Sequence, residues 1–152
     1  MFYLGIIAVI FLSDFFVKKI VDEKLAFGEK KTYLDGKIIL EKYYNKGFAL
    51  DKFEKHPKLV AYGSGFVCIS LIVKLCILLF QKGNKGLKTA LAMIIGGAGS
   101  NIYDRFRRHH VVDYVRFGVK WKALRNIVFN ISDFFTILGA LLLLVFQKKE
   151  DN

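Results

Sequence analysis

Residues that break, anchor or cross-link a chain are scarce here: of 152 residues, one is proline, one tryptophan, two cysteine and two methionine. With Pro57 as the sole proline, the chain lacks a proline-rich linker, and internal repeats and low-complexity runs are absent as well. A single domain over residues 1–152 is expected. Cys68 and Cys76 lie in one apolar run, eight residues apart. That spacing suits neither a metal site nor a local disulfide, which leaves packing or lipid-facing roles. The first apolar run, opening Met1-Phe2-Tyr3, has no basic n-region before it and no small-residue cleavage site after it. It is therefore expected to stay as a helix rather than be removed as a signal peptide.

Apolar surface is what the chain has in excess. At 54% hydrophobic and 15% aromatic residues with mean hydropathy +0.36, it is too apolar for a small soluble domain. Its charges are confined to blocks between four apolar stretches, residues 2–17, 59–80, 87–103 and 128–146. Stretches of this kind approach or reach the ~20 residues that a bilayer-crossing helix needs. Leu141-Leu142-Leu143-Leu144 and Ile69-Ser70-Leu71-Ile72 have no polar face, against a soluble bundle. The expected fold is a membrane protein, mainly α, with four transmembrane helices. Pro57 fits the first turn of the second.

The loops at 18–58 and 104–127 carry their own pattern. Asp35-Gly36 between Thr32-Tyr33-Leu34 and Ile38 to Tyr44 reads as a β-hairpin, and Asn45-Lys46-Gly47 as a second turn with a polar side chain. Val111 to Phe117 is a further strand candidate, so a small β-sheet, a cradle for an extended peptide, is expected beside the bundle. The net charge of +11 could suggest nucleic acid, yet the basic residues are scattered among acidic and aromatic ones. Membrane lipids, not nucleic acid, are the expected partner. Eleven lysines and seven acidic residues share loop 18–58, and seven Lys or Arg lie in 104–127. Counted plainly, the positive-inside rule would put these loops in the cytoplasm, but charge alone leaves orientation open.

Two aspartates, Asp113 and Asp133, stand where charged and apolar stretches meet, and a carboxylate there is costly enough to be a functional candidate. Asn101, Asp104 and Arg105 share a helical face at the end of the third stretch, and Asn130 and Asp133 share one on the fourth. Gly96 and Ser100 form a small-xxx-small pair suited to close helix packing. His56, His109 and His110 form no nucleophile arrangement with serine, and the chain offers no metal-ligand register. Two neighbouring carboxylates that share a proton can supply an acid and a base, which is the chemistry of amide hydrolysis. No metal or cofactor is expected.

The order of Asn45-Lys46-Gly47, Gly96-Gly97-Ala98 with Asn101 and Asp104-Arg105, Val111-Val112-Asp113-Tyr114 and Phe129-Asn130-Ile131-Ser132-Asp133 resembles the lipoprotein signal peptidases, signal peptidase II, over nearly the whole chain. The resemblance implies a bacterial inner-membrane aspartic protease that cuts diacylglyceryl-modified prolipoproteins before the lipidated cysteine. It implies cytoplasmic termini, extracytoplasmic loops, Asp113 and Asp133 as the catalytic pair, and Asn45, Asn101, Asp104, Arg105 and Asn130 lining or bracing the site. Asp14 and Lys18 match an Asp-x-x-x-Lys element of the first helix. A monomer is expected. Phe15, Phe48, Ser100 and Ser132 depart from the usual family pattern, where Ser132 could add a hydrogen bond beside Asp133. Two rival readings are a catalytically altered paralogue that binds lipoproteins and a small membrane transporter subunit, which would place polar residues at mid-membrane depth.

Overall fold

The computed structural model describes residues 1–47 and 53–150, and the side chains of 148–150 are left aside. The Phe48 departure, with Ala49 and Leu50, lies outside the described residues. Nine elements follow in order: α1 (Phe2–Lys24), β1 (Lys30–Tyr33), β2 (Ile38–Asn45), α2 (Pro57–Leu79), α3 (Lys85–Arg108), β3 (Val111–Phe117), α4 (Lys122–Arg125), β4 (Val128–Phe129) and α5 (Ile131–Glu150). The chain is thus mainly helical with one small antiparallel sheet.

α3 is the hub, packing against α1, α2 and α5. It can be central because many of its residues are small: Ala90 and Ala92 are fully buried, and Gly96 and Gly97 let neighbours approach. A Cβ on Gly97 would lie 2.5 Å from both the Ser132 carbonyl oxygen and Thr136 Oγ1 on α5, while one on Gly96 would lie 3.0 Å from the Ile7 carbonyl on α1. The helices turn large apolar side chains outward, among them Phe16, Phe66, Ile69, Leu141 and Leu144. This is the reverse of a water-soluble bundle. Among the described residues, Pro57–Leu79 is the one helix long and apolar enough to cross a membrane by length and composition, and Ile131–Gln147 is apolar but shorter.

The helices outrun the expected stretches. α1 continues to Lys24 and α3 to Arg108, because their polar ends find partners on the sheet and on each other. The fourth stretch is not helical from residue 128: Val128 and Phe129 pair as β4 with Arg116 and Val115, and the helix starts at Ile131. Pro57 opens α2, and Cys68 is buried while Cys76 is exposed.

The sheet order is β1-β2-β3-β4. The hairpin forms, but its turn spans Leu34–Lys37, with Leu34, Asp35 and Gly36 all at positive φ, so Leu34 belongs to the turn and not to the strand. Between β2 and β3 the register changes: Leu40 pairs with Val115, whereas Tyr43 pairs with Asp113 and Asn45 with Val111. This one-residue slip is a bulge at Glu41 and Lys42. Side chains alternate faces along a strand, so without the bulge Asn45 would face away from Asp113. With it they share a face.

Candidate active site

Asp133 is held by the start of its own helix. Asn130 Oδ1 accepts from the Asp133 N–H at 3.0 Å, and the Asn130 N–H donates to Asp133 Oδ2 at 2.9 Å. This is a reciprocal capping box, which satisfies two otherwise orphaned donors and fixes the carboxylate at the helix mouth. The second oxygen, Oδ1, accepts from Asn101 Nδ2 of α3 at 2.9 Å. Asp113, on β3, accepts from Asn130 Nδ2 at 2.6 Å on Oδ1 and from Asn45 Nδ2 at 3.1 Å on Oδ2. Asn130, fully buried, thus touches both carboxylates. Strand β3, the short helix α4 and the return strand β4 supply the fold-back that brings residues 113 and 133 together.

These amides have fixed orientations. Asn45 Oδ1 accepts from the Gly47 N–H at 3.0 Å, an Asx turn that leaves its NH₂ for Asp113. Asn101 Oδ1 accepts from Lys18 Nζ at 2.6 Å and from Asn130 Nδ2 at 3.1 Å, which leaves its NH₂ for Asp133. Each carboxylate therefore meets donors and never an amide oxygen.

Beneath lies a charged layer. Lys18, 0% exposed, contacts Asp14 Oδ2 at 2.6 Å and Asp104 Oδ2 at 3.1 Å, and Arg108 reaches Asp104 at 3.6 Å. Such charges are tolerable in a dry interior because each is paired. Asp104 also accepts from the Val112 N–H at 3.4 Å, tying α3 to β3. It pairs with Lys18 and Arg108 rather than with its neighbour Arg105. Arg105 instead donates to the carbonyls of Asn101 at 3.3 Å and Gly47 at 3.1 Å, bridging α3 to the Asx turn.

A cavity of about 410 Å³ opens onto these groups. Asn45, Asn101, Arg105, Asp113 and Asp133 line it with Phe129 and Ile137, among others. Asn130 stands between the two carboxylates, and Asp14, Lys18 and Asp104 lie one layer behind. An apolar cavity of about 460 Å³ between α2, α3 and α5 shares Ser64, Ala98 and Thr136 with it. Burial, with the nearby Asp133 charge, pushes the Asp113 carboxyl up to about 7, against the pull of the Asn45 and Asn130 hydrogen bonds and the Lys18 ammonium. Near neutral pH it is therefore poised between its two protonation states. Among the described residues no group of three or more His, Cys, Asp or Glu is placed to hold a metal ion.

Two features were not foreseen in the sequence. The Tyr114 hydroxyl donates to Asp14 Oδ1 at 3.2 Å and accepts from the Ile131 N–H at 3.1 Å, joining α1, β3 and α5. Its only signal was an aromatic after Asp113. Ser132 does not bond Asp133: its hydroxyl donates to Asp14 Oδ2 at 2.7 Å. Consecutive residues on a helix point about 100° apart, so Ser132 faces α1 while Asp133 faces the cavity. His109 ends α3 in a left-handed conformation, and His110 stacks on Tyr44, both away from the cavity.

The family model described as signal peptidase (SPase) II matches residues 6–148. The chain belongs to the signal peptidase II family. Membership makes it an aspartic-type hydrolase. The lipoprotein signal peptidase of Fusobacterium nucleatum subsp. nucleatum is 30% identical over 145 residues, covering 95% of this chain and 85% of its own. That of Listeria monocytogenes serotype 4b is 31% identical over 151 residues, covering 99% and 95%. A solved bacterial membrane enzyme structure, obtained by the in meso method, superposes with a TM-score of 0.83 over 99% of this chain and 89% of that one, at 18% identity. A second superposes at 0.76 over 94% and 90%, also at 18% identity. The fold is that of these membrane enzymes.

Proposed function

We propose that this chain is an intramembrane aspartic endopeptidase that removes the signal peptide from diacylglyceryl-modified prolipoproteins, cutting before the lipidated cysteine, with Asp113 and Asp133 as its catalytic pair. The observation that carries this reading is Asn130, one buried amide joined to both carboxylates at the edge of a cavity. Two carboxylates so close cannot both ionise easily, so one keeps a proton. The ionised member takes a proton from a water as it attacks the scissile carbonyl. The protonated member donates to the carbonyl oxygen; as the tetrahedral intermediate collapses it takes that proton back, while the other member passes the proton it took from water to the departing amine.

The surroundings support each part of the substrate. The β2–β3 face bearing Asn45 suits an extended peptide backbone, and the adjoining apolar cavity suits acyl chains or an apolar signal helix. Helices α1, α2, α3 and α5, of 23, 23, 24 and 20 residues, are about 30–36 Å long and match a hydrocarbon core of about 30 Å. Their outward apolar side chains suit lipid contact. In this reading the chain is a monomeric, four-span domain of the bacterial inner membrane, with termini in the cytoplasm and the sheet, Asp113 and Asp133 at the outer face. Asp113 lies on the sheet and Asp133 in the first turn of α5, instead of at mid-membrane depth, which disfavours a transporter.

The test is a purified preparation incubated with a diacylglyceryl-modified precursor and followed for a size shift. Wild type should cleave, while Asp113→Asn and Asp133→Asn insert in the membrane but do not. Turnover near the wild-type rate by either variant refutes the assignment, and an inactive but well-folded wild type favours a lipoprotein-binding paralogue.

A further inference from the structure

The hydroxyls of Ser100 and Ser132 take no part in lining the cavity, yet both are buried at 1% and 0% exposure. They come from different helices, α3 and α5, and converge on one atom: each donates to Asp14 Oδ2 at 2.7 Å. The same oxygen meets Lys18 Nζ at 2.6 Å, while Oδ1 faces the Ser132 N–H at 3.3 Å and the Tyr114 hydroxyl at 3.2 Å. Three other elements, α3, β3 and α5, therefore grip Asp14.

Lys18 has three N–H donors to distribute. Asp14, Asp104 and Asn101 claim them at 2.6, 3.1 and 2.6 Å, with Ser100 Oγ beyond at 3.3 Å. A bare Asp14 carboxylate, four residues away on the same helix, would compete for more of the ammonium. With its charge spread over two hydroxyls and a phenol, it leaves Lys18 free to reach Asn101. That contact matters because an amide has one acceptor end. Held by Lys18 at its oxygen, Asn101 can present only its NH₂ to Asp133. The chain of contacts runs from the serines through Asp14, Lys18 and Asn101 to the cavity.

We propose that Ser100 and Ser132 are positioning residues, acting as one unit on Asp14 to aim Lys18 at Asn101 and so orient the Asp133 carboxylate. This rests on the reading of Asp113 and Asp133 as the catalytic pair. The groups facing Asp14 and the pair are Lys18 from α1, Asp104, Arg105 and Arg108 from α3, and Tyr114 from β3.

The experiment measures kcat, KM and the pH profile of kcat for wild type, Ser100→Ala, Ser132→Ala and the double variant, on a synthetic diacylglyceryl-modified precursor peptide in lipid nanodiscs. The double variant should lose about ten-fold in kcat with KM within about two-fold, and the alkaline limb of its profile should move to higher pH as Lys18 slackens its hold near the pair. Because both hydroxyls act on one oxygen, the single effects should not add. Superimposed profiles with wild-type kcat overturn the proposal, as does a rise in KM alone. If the double variant does not fold, the single variants, each leaving Asp14 its other donors, carry the same readouts. Asp113→Asn is run alongside: its turnover at the wild-type rate would refute the catalytic pair itself, whereas its inactivity beside unchanged serine variants would sink only the positioning role.

Discussion

Replacing Asn130 with alanine should separate the two tasks that this residue combines. It removes the 2.6 Å donor to Asp113 and the acceptor of the Asp133 N–H, while the backbone bond from residue 130 to Asp133 Oδ2 can persist. A hydrogen bond to a charged group contributes about 1.5–3 kcal/mol. At about 1.4 kcal/mol per pH unit, its loss from the ionised form should raise Asp113 about one to two units above its value near 7. The alkaline limb of the cleavage profile should move up by that amount. Loss of the helix cap should cost about 1 kcal/mol in addition. Asn130→Ser keeps a good capping oxygen but cannot reach Asp113 with an amide, so it should recover thermal stability and retain the shifted profile. The assay is kcat against pH from 5 to 10 (a range chosen to span about 7 by roughly two to three units), with a thermal melt of each variant in nanodiscs. An alanine variant that is folded and follows the wild-type profile would refute the claim that this amide sets the ionisation of the pair.

The unmodified enzyme should lose activity as pH rises through about 7, since Asp113 then gives up the proton that the mechanism needs; a flat profile there contradicts the shared-proton reading. The same shift has a sign for stability. The folded-state value lies above that of an unfolded carboxylate, about 3.9, so the bound proton contributes stability that is complete below that pH and lost as pH rises through about 7. Thermal midpoints measured across this window should fall, less so for Asp113→Asn. Lys18→Met takes the cation from buried Asp14 and leaves Asp104 with its longer Arg108 contact, and should destabilise by about 3–5 kcal/mol, visible as loss of folded protein from membranes. Gly97→Ala would press a Cβ against the Ser132 carbonyl and Thr136 Oγ1 at 2.5 Å, so a loss of about 1–3 kcal/mol is expected from melts; an unchanged midpoint would mean that α3 and α5 are not so tightly apposed.

Much of the site could be read from motif strings because their spacing is local. Asn130 and Asp133 sit three apart, which on a helix start is the spacing of a capping box, and Asn45 with Gly47 is the spacing of an Asx turn. The helix limits were read less well. Hydropathy marks where apolar residues stop, whereas α1 and α3 run on through Asp22 and Arg108, which pair with each other, and end where Leu25 turns extended and His109 left-handed. Val128 and Phe129 look like helix on hydropathy and are strand because Arg116 and Val115 pair with them. Adjacency in sequence pairs Ser132 with Asp133; the helical twist points it at Asp14, 118 residues away along the chain.

By itself the sequence determined an apolar, mainly helical chain with charges gathered into loops, the identity of its polar residues and their local spacings. These follow from composition and from periodicities that each segment carries alone. The tertiary structure decided which of those residues meet. A one-residue bulge at Glu41 and Lys42 turns Asn45 to the face of Asp113, and small residues on α3 let α1 and α5 close against it. Burial then raises Asp113, an effect that no local pattern contains because it depends on the water excluded by every neighbouring element at once.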